Sequence, residues 1–247
     1  MKILSYLIAG ACCLLMFDSC QNSGTSPTTP GGSGKSGSLA RFALTDHYLY
    51  TVDQTTLRLF DVSQGGAKFI TSVPIGFSIE TIFARGNTLF LGASDGVHIY
   101  DITVRQSPKH LSTYRHITSC DPVVADEQYA YSTLSTGWTT CWRGMNVLDI
   151  IDVSDLRSPL RVSSMLLTNP IGLGLTSANR LVVCDNGLKL LNVTDRKKPE
   201  LLHAISAEKP FDIIPYNDRF IAVIPGGLVN YTVANDSLQL VGKLSYR

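Results

Sequence analysis

The apolar positions of this chain recur in a fixed order over residues 39–247, and one strongly apolar run returns several times. Each copy of this run ends in Asp or in a polar residue of similar size. The last residues of the five copies are Asp61, Asp101, Asp152, Asn192 and Thr232, which are 40, 51, 40 and 40 residues apart. Self-similarity at a fixed period is the signature of a repeat architecture. The spacing therefore predicts five repeats of about 40 residues, of which the third is enlarged.

Every repeat contains four apolar runs of strand length, and none of these runs shows the period of a helix. Turn-forming residues separate the runs, as at Asp95-Gly96 and Asn186-Gly187. Four short strands in a repeat of this length are typical of a propeller blade. A ring of blades also protects the strand edges that a single sheet would expose. The predicted fold class is therefore all-β, a five-bladed β-propeller formed by residues 39–247.

The N-terminus has a different pattern. A basic residue precedes an uncharged, mostly apolar run over residues 3–17, which is typical of a signal peptide and short for a membrane span. The run leads to Ser19-Cys20, and lipoprotein signal peptidase requires a small residue before the lipidated Cys. We therefore predict a lipoprotein signal peptide over residues 1–19 and a lipid on Cys20. Cleavage before Cys12, an ordinary secretory signal and an uncleaved anchor are the alternatives.

Residues 20–38 contain Gly, Ser, Thr and Pro but no large apolar side chain before the repeats begin. Such a segment cannot bury enough surface to offset the entropy of ordering it, so we predict a flexible tether. Together with the lipid, the tether predicts a protein held at the bacterial cell envelope. The outer membrane is the expected location, with the propeller in the periplasm or at the cell surface.

The repeat units also resemble a known repeat family. The copies LRLFDVS, VHIYDIT and LDIIDVS are similar to the LVIVD repeat, which is named for an apolar strand ending in Asp. Longer stretches such as LARFALTDHYLYTVD and CDPVVADEQYAYSTL resemble the envelope lipoproteins of this family from Bacteroidetes-type bacteria. The resemblance covers residues 39–247. It implies a β-propeller fold and an envelope location, and it implies no particular activity.

The acidic anchors allow two interpretations. A ring of acidic groups could bind cations. Alternatively, each side chain could cap a turn, because a Ser or Thr follows two residues after most anchors. Asn192 and Thr232 would serve as caps and would weaken a cation site, so the sequence favours capping.

Several functions are excluded by charge and by motif context. The net charge of +1 gives no electrostatic case for binding nucleic acid. The segment GGSGKS imitates a nucleotide-binding loop but follows no strand, and GASDG imitates a hydrolase nucleophile turn but lies between two strands. The five His residues lack metal-ligand spacing. We therefore predict no catalytic residue, no metal site and no cofactor.

The enlarged third repeat carries a candidate disulfide. Cys120 precedes its first strand, and Cys141 lies in the insertion between its second and third strands. In a propeller blade these two connections emerge on the same face, and the envelope is oxidising, so we predict a Cys120–Cys141 bond. Cys184 lies in a strand pattern and is predicted to be a buried free thiol.

The sequence also points to a ligand-binding face. Trp138 and Trp142 lie in the same insertion and could stack against a sugar or a partner side chain, although they could instead cover the insertion itself. The opening residues of the first strands should surround one mouth of the central channel, where a polar ring could bind a ligand. These residues are Arg41, Glu80, Asp121, Asn169 and Asp212.

These features favour a non-enzymatic binding or scaffold module with an unidentified protein or glycan partner. The alternative is a carbohydrate-active enzyme of the glycosidase type, because paired carboxylates at a channel mouth are the glycosidase arrangement. Arg41 could equally neutralise the acidic ring. Two carboxyl groups facing an open pocket would favour the enzyme, and a mouth closed by Arg41 would favour the scaffold.

Overall fold

The computed structural model describes residues 37–76, 78–116, 122–136, 145–176, 179–206, 208–216 and 219–246. All regular structure in these ranges is β, and no helix occurs in them. Accordingly, no helix in the described ranges is long and apolar enough to cross a membrane.

The strands form five blades of four. Blade 1 consists of β1 (Phe42–Thr45), β2 (Tyr48–Val52), β3 (Thr56–Asp61) and β4 (Lys68–Pro74). Blade 2 consists of β5 (Ile79–Arg85), β6 (Thr88–Ala93), β7 (Gly96–Asp101) and β8 (Lys109–Arg115). Blade 3 consists of β9 (Val123–Ala125), β10 (Tyr129–Leu134), β11 (Val147–Asp152) and β12 (Leu160–Leu166). Blade 4 consists of β13 (Pro170–Leu175), β14 (Arg180–Asp185), β15 (Leu188–Asn192) and β16 (Glu200–Ile205). Blade 5 consists of β17 (Asp212–Tyr216), β18 (Arg219–Ile224), β19 (Gly227–Ala234) and β20 (Ser237–Ser245).

Within each blade the strands are antiparallel neighbours in chain order. The prediction of an all-β, five-bladed propeller with four strands in each repeat is confirmed. The third and fourth strands are paired with a register shift in all five blades, which lies between Ile150 and Ile151 in blade 3. The same irregularity in each blade shows that the repeats share a local geometry as well as a length.

Apolar packing joins each blade to the next along the chain. One buried cluster lies between each of the four successive pairs from blade 1 to blade 5. Strands β7 and β11, in the middle of the series, are therefore buried on both faces. Strands β3 and β19, in the terminal blades, alternate between buried and partly exposed positions. No apolar cluster of described residues joins blade 5 to blade 1. Here the chain makes a polar contact instead, in which Ser38, just before blade 1, donates a hydrogen bond to Asp212 of blade 5.

The repeated anchor residues cap turns. The Oδ1 atoms of Asp61, Asp101, Asp152 and Asn192 each accept a hydrogen bond from the backbone N–H two residues later, at 2.8, 2.7, 2.9 and 3.0 Å. For Asp152, the hydrogen bonds from Ser154 hold the pKa of the carboxyl group below its ordinary value. Asn192 makes the same bond with an amide oxygen, so the position needs an acceptor rather than a charge. The capping interpretation is confirmed at these four anchors.

Candidate functional site

The connections of the propeller lie on two opposite faces. We call one the insertion face: it contains the connections between the second and third strands and those from one blade to the next. We call the other the anchor face: it contains the anchor residues and the turns between the first and second strands. The predicted channel mouth belongs to the insertion face, because first strands begin there, and the described ends of the strands that flank the third-repeat insertion, Leu134 and Val147, lie on the same face.

Polar side chains on the anchor face mostly bind each other across blade boundaries. Arg105 of blade 2 reaches Asp46 of blade 1, with Nε 3.1 Å from Oδ2. Arg196 of blade 4 donates from Nη2 to Oδ2 of Asp126 in blade 3 at 3.1 Å, and its guanidinium also lies over the Tyr129 ring. These contacts tie neighbouring blades together, so the charged groups of this face serve the fold.

Arg41, at the predicted mouth, binds main chain. Its Nε donates to the carbonyl oxygen of Glu80 at 3.2 Å, and its Nη2 donates to the carbonyl oxygen of Ile79 at 3.4 Å. The structure therefore brings Arg41 and Glu80 together at the start of β5. Arg41 itself is exposed, and these two hydrogen bonds join the start of blade 1 to the start of blade 2.

Asp212, also predicted at the mouth, is buried beneath the chain's own N-terminal segment. Its Oδ1 accepts hydrogen bonds from the Ser38 hydroxyl at 3.0 Å and from the backbone N–H of Ile213 at 2.9 Å. The Ser38 oxygen in turn accepts a hydrogen bond from the backbone N–H of Leu173 at 2.8 Å. Gly37 lies so close to this carboxyl group that a Cβ there would be 2.0 Å from Oδ2.

The surroundings of Asp212 disfavour its ionised form. The side chain has no cationic partner among the described residues, and Asp212 is only 8% exposed. Burial raises the pKa of its carboxyl group to about 6, although the hydrogen bonds from Ile213, Ser38 and Leu39 oppose this shift. The group is thus enclosed by protein, with little access for a ligand.

Asn169 lines a cavity between blades 4 and 5 on the insertion face. The cavity has a volume of about 440 Å³, and its lining includes Ile171, Phe211, Lys209 and Pro225. The backbone N–H of Asn169 donates to Oδ1 of the buried Asp185 at 2.6 Å, which fixes the start of β13. The lining also includes Asn186, Ser206 and Glu208, so the wall of this cavity is both polar and apolar.

The remaining predicted residues lie outside the described ranges. They are Cys20, Cys120, Asp121, Trp138, Cys141 and Trp142. The Cys120–Cys141 bond therefore stays a prediction, as does the role of the two Trp side chains. Cys184 is free and fully buried, as predicted, and burial raises the pKa of its thiol well above the ordinary value.

A recurrent acid–base pair lies near the start of the third strand. The basic residue lies three positions before the anchor, and the acidic residue lies at the connection between the second and third strands. Ion pairs of this kind join Arg58 to Asp53 and Lys189 to Asp185, and a hydrogen bond joins His98 to Asp95. In blade 3 the position of the base is occupied by Asp149, which is an acid. No ion pair between described residues includes Asp149.

Asp149 lies in a second cavity on the insertion face, between blades 2 and 3. This cavity has a volume of about 350 Å³. It is lined by Tyr114, Arg115, His116, Leu134, Met145, Val147, Asp149, Arg161 and Ser164. Sequence reasoning missed this site, although the exchange of a base for an acid is visible when the third strands are aligned. Among the described residues, no group of three His, Cys, Asp or Glu side chains could hold a metal ion.

Comparison with known proteins defines the class by fold. No family model and no curated protein matches the chain. A protein of unknown function from Desulfotomaculum acetoxidans is similar in structure, with a TM-score of 0.68 and 10% identity over 87% of this chain and 70% of that one. A protein from Lactobacillus plantarum has a TM-score of 0.66 and 16% identity over 81% of this chain and 69% of that one.

A protein from Bacteroides fragilis, described as a proposed 6-phosphogluconolactonase, is similar to the same extent. Its TM-score is 0.66 and its identity 9%, over 83% of this chain and 69% of that one. Identities this low show a common fold and carry no activity from one protein to another. The chain is thus a repeat protein of the β-propeller class.

Proposed function

We propose that this protein is an envelope-anchored lipoprotein whose propeller is a non-enzymatic binding module that uses the insertion face. The observation that carries this proposal is the difference in lining between the cavities of the two faces. Among the described residues, two cavities that combine polar and apolar side chains open on the insertion face, as is usual for a ligand site. The cavity of about 350 Å³ on the anchor face is lined mainly by polar residues, among them Gln128, Thr194 and Lys197. On the anchor face, Arg105 and Arg196 are already engaged between blades.

The glycosidase alternative receives no support from the described residues. A glycosidase needs two carboxyl groups that face one open pocket, about 5–10 Å apart. Asp212 is enclosed by the Gly37–Leu39 segment, and its oxygens accept hydrogen bonds from that segment. The enclosure of Asp212 therefore supports the proposal of a binding role in preference to glycoside hydrolysis.

Site-specific photo-crosslinking in the native envelope tests the choice of face. A photoreactive residue at Arg115 or Lys209 samples the insertion face, and one at Arg157 or Lys197 samples the anchor face. All four side chains are exposed, so replacement leaves the core intact. We expect specific adducts to be at least fivefold more abundant from the insertion-face positions. Equal labelling from both faces, or stronger labelling from the anchor face, would contradict the proposal.

Anchoring has a separate test. If Cys20 carries the lipid, Cys20→Ser will lose incorporation of a labelled fatty acid and will leave the membrane fraction, because the remaining sequence offers no other acylation site at the cleavage point. The matched control is Cys12→Ser, which should be processed and labelled like the original protein. The reverse pattern, with label lost only in Cys12→Ser, would place the cleavage site before Cys12.

A further inference from the structure

We propose that the cavity around Asp149 binds a small zwitterionic ligand of the free α-amino acid type. Asp149 would bind its ammonium group, and Arg161 would bind its carboxylate. The inference rests on the proposed function, because it assigns a ligand class to one of the two cavities of the insertion face. It is carried by the environment of one buried carboxylate and by the way blade 3 departs from blades 1, 2 and 4.

Asp149 has an oxygen without a partner. The residue is 1% exposed, and its Oδ2 accepts a hydrogen bond from the Tyr114 hydroxyl at 2.9 Å. Its Oδ1 is buried and has no hydrogen-bond partner. Leaving a buried acceptor unsatisfied costs about 1–3 kcal/mol, and more when the group is charged. Native proteins retain such a group mainly where a ligand, ion or water completes it.

The other blades indicate what completes this position. In blades 1, 2 and 4, a basic side chain three residues before the anchor pairs with an acid of the same blade. Blade 3 has Asp149 in place of the basic residue. This blade therefore contains the acidic member of such a pair, and no described cation is bonded to it. A ligand ammonium group would restore the missing pair, with the two charges exchanged between their usual positions.

The rim of the same cavity is cationic. Arg161 is exposed and lies beside Tyr114. Burial raises the pKa of Tyr114 most, the Asp149 charge raises it further, and the Arg161 guanidinium opposes both effects. Asp149 and Arg161 thus both act on the Tyr114 phenol, and all three side chains line the same cavity. Arg115, the other arginine of the rim, already pairs with Asp95 at 3.2 Å.

This distribution of charge selects between ligand classes. A simple cation would meet Arg161 and Arg115 before it reached Asp149, and a simple anion would meet an unpaired carboxylate at the base of the cavity. A zwitterion satisfies both groups, since its ammonium and carboxylate are separated by one carbon atom. Leu134, Met145 and Val147 add an apolar wall that suits an aliphatic side chain.

The size of the cavity limits the ligand. Its volume of about 350 Å³ is at the lower end of the range for small-molecule pockets, about 300–1,000 Å³. A single amino acid is of suitable size, whereas most of a polysaccharide or a folded partner would remain outside. We therefore expect L-leucine and L-methionine to be effective probes.

The proposal is tested by calorimetric titration of the purified full-length protein at pH 7. L-Leucine and L-methionine should bind with a dissociation constant below about 1 mM, on the order expected for a few charge-assisted hydrogen bonds. N-Acetyl-L-leucine lacks the ammonium group and L-leucinamide lacks the carboxylate, so each should bind at least tenfold more weakly. Equal binding of the blocked compounds would overturn the proposal.

Two variants locate the binding. Asp149→Asn and Arg161→Gln should each weaken leucine binding at least tenfold. The matched control is Arg58→Gln, which changes the equivalent strand position in blade 1 and should bind leucine like the original protein. If Asp149→Asn does not fold, Arg161→Gln still decides the question, because Arg161 is exposed. Unchanged binding by a folded Asp149→Asn or by Arg161→Gln would refute the assignment.

The result also separates this inference from the proposed function. Absence of amino-acid binding, together with crosslinking from the insertion face, would overturn the ligand class and leave the binding module standing. Binding of a neutral sugar such as N-acetylglucosamine in preference to leucine, if Asp149→Asn abolishes it, would likewise overturn the ligand class and leave the binding module standing. Leucine binding that is unaffected by Asp149→Asn would place the amino-acid site elsewhere.

Discussion

Replacing Gly187 with Ala is expected to lower the free energy of unfolding by about 3–5 kcal/mol, the range for a substitution that combines backbone strain with a steric clash in a packed region. Gly187 lies immediately before the third strand of blade 4 with a φ of 122°, a conformation that favours glycine. A Cβ there would lie 2.0 Å from the carbonyl oxygen of Ile205. The backbone cannot move aside easily, because the neighbouring Leu188 is paired with Ile205 in the sheet.

Urea denaturation followed by tryptophan fluorescence and circular dichroism measures this loss. Gly66→Ala is the matched control, because nothing lies within 4 Å of a Cβ at that turn and its φ is not positive. We expect the control to unfold within about 0.5 kcal/mol of the original protein, as for most surface changes. A loss below about 1 kcal/mol for Gly187→Ala would mean that the sheet accommodates the side chain, and the argument would then be wrong.

Stability should fall as the pH rises from about 4 to about 6, because of Asp212. The pKa of its carboxyl group is about 6 in the folded protein, compared with an ordinary value of 3.8 that applies to the unfolded chain. Over this window the folded state holds a proton that the unfolded state has released. The contribution is complete below the unfolded pKa, reaches about 3 kcal/mol at most, and is lost as the pH rises through the folded pKa.

Asp212→Asn isolates this effect. The amide oxygen can still accept hydrogen bonds from Ser38 and Ile213, but the side chain no longer titrates. Relative to the original protein, the variant should gain about 2 kcal/mol in unfolding free energy between about pH 4.5 and pH 7.5. Glu200→Gln is the control, since Glu200 is exposed and makes only a long 4.0 Å contact with Lys198. A difference that does not change with pH would show that Asp212 is ionised and solvated.

The repeat positions of the sequence predicted the fold well because each has a local cause. Gly96 and Gly187 recur five residues before the anchor, and both lie against a carbonyl oxygen of the fourth strand with a positive φ. The anchors at Asp61 and Asp101 recur because each accepts a backbone hydrogen bond two residues later. Local geometry of this kind leaves a periodic trace that a single sequence reveals.

The candidate site was less predictable, because it depends on contacts between distant residues. Asp149 stands in a strand pattern like any other polar residue, and its importance follows from Tyr114, which belongs to the preceding blade. The composition of residues 20–38 predicts a tether that includes Ser38, but Ser38 is fully buried in the structure. Composition measures what a segment can bury by itself, and it does not register a buried position formed by distant residues such as Asp212 and Leu173.

The short segment Gly37–Ala40 has a mechanical consequence. Ser38 is hydrogen-bonded to Asp212 of blade 5 and to Leu173 of blade 4, and the carbonyl oxygen of Ala40 accepts a hydrogen bond from Ile82 of blade 2. A pull on the chain before Gly37 is therefore shared among three blades. Blade 1 would not peel away from its neighbours alone, and several bonds at the axis would have to break together under load.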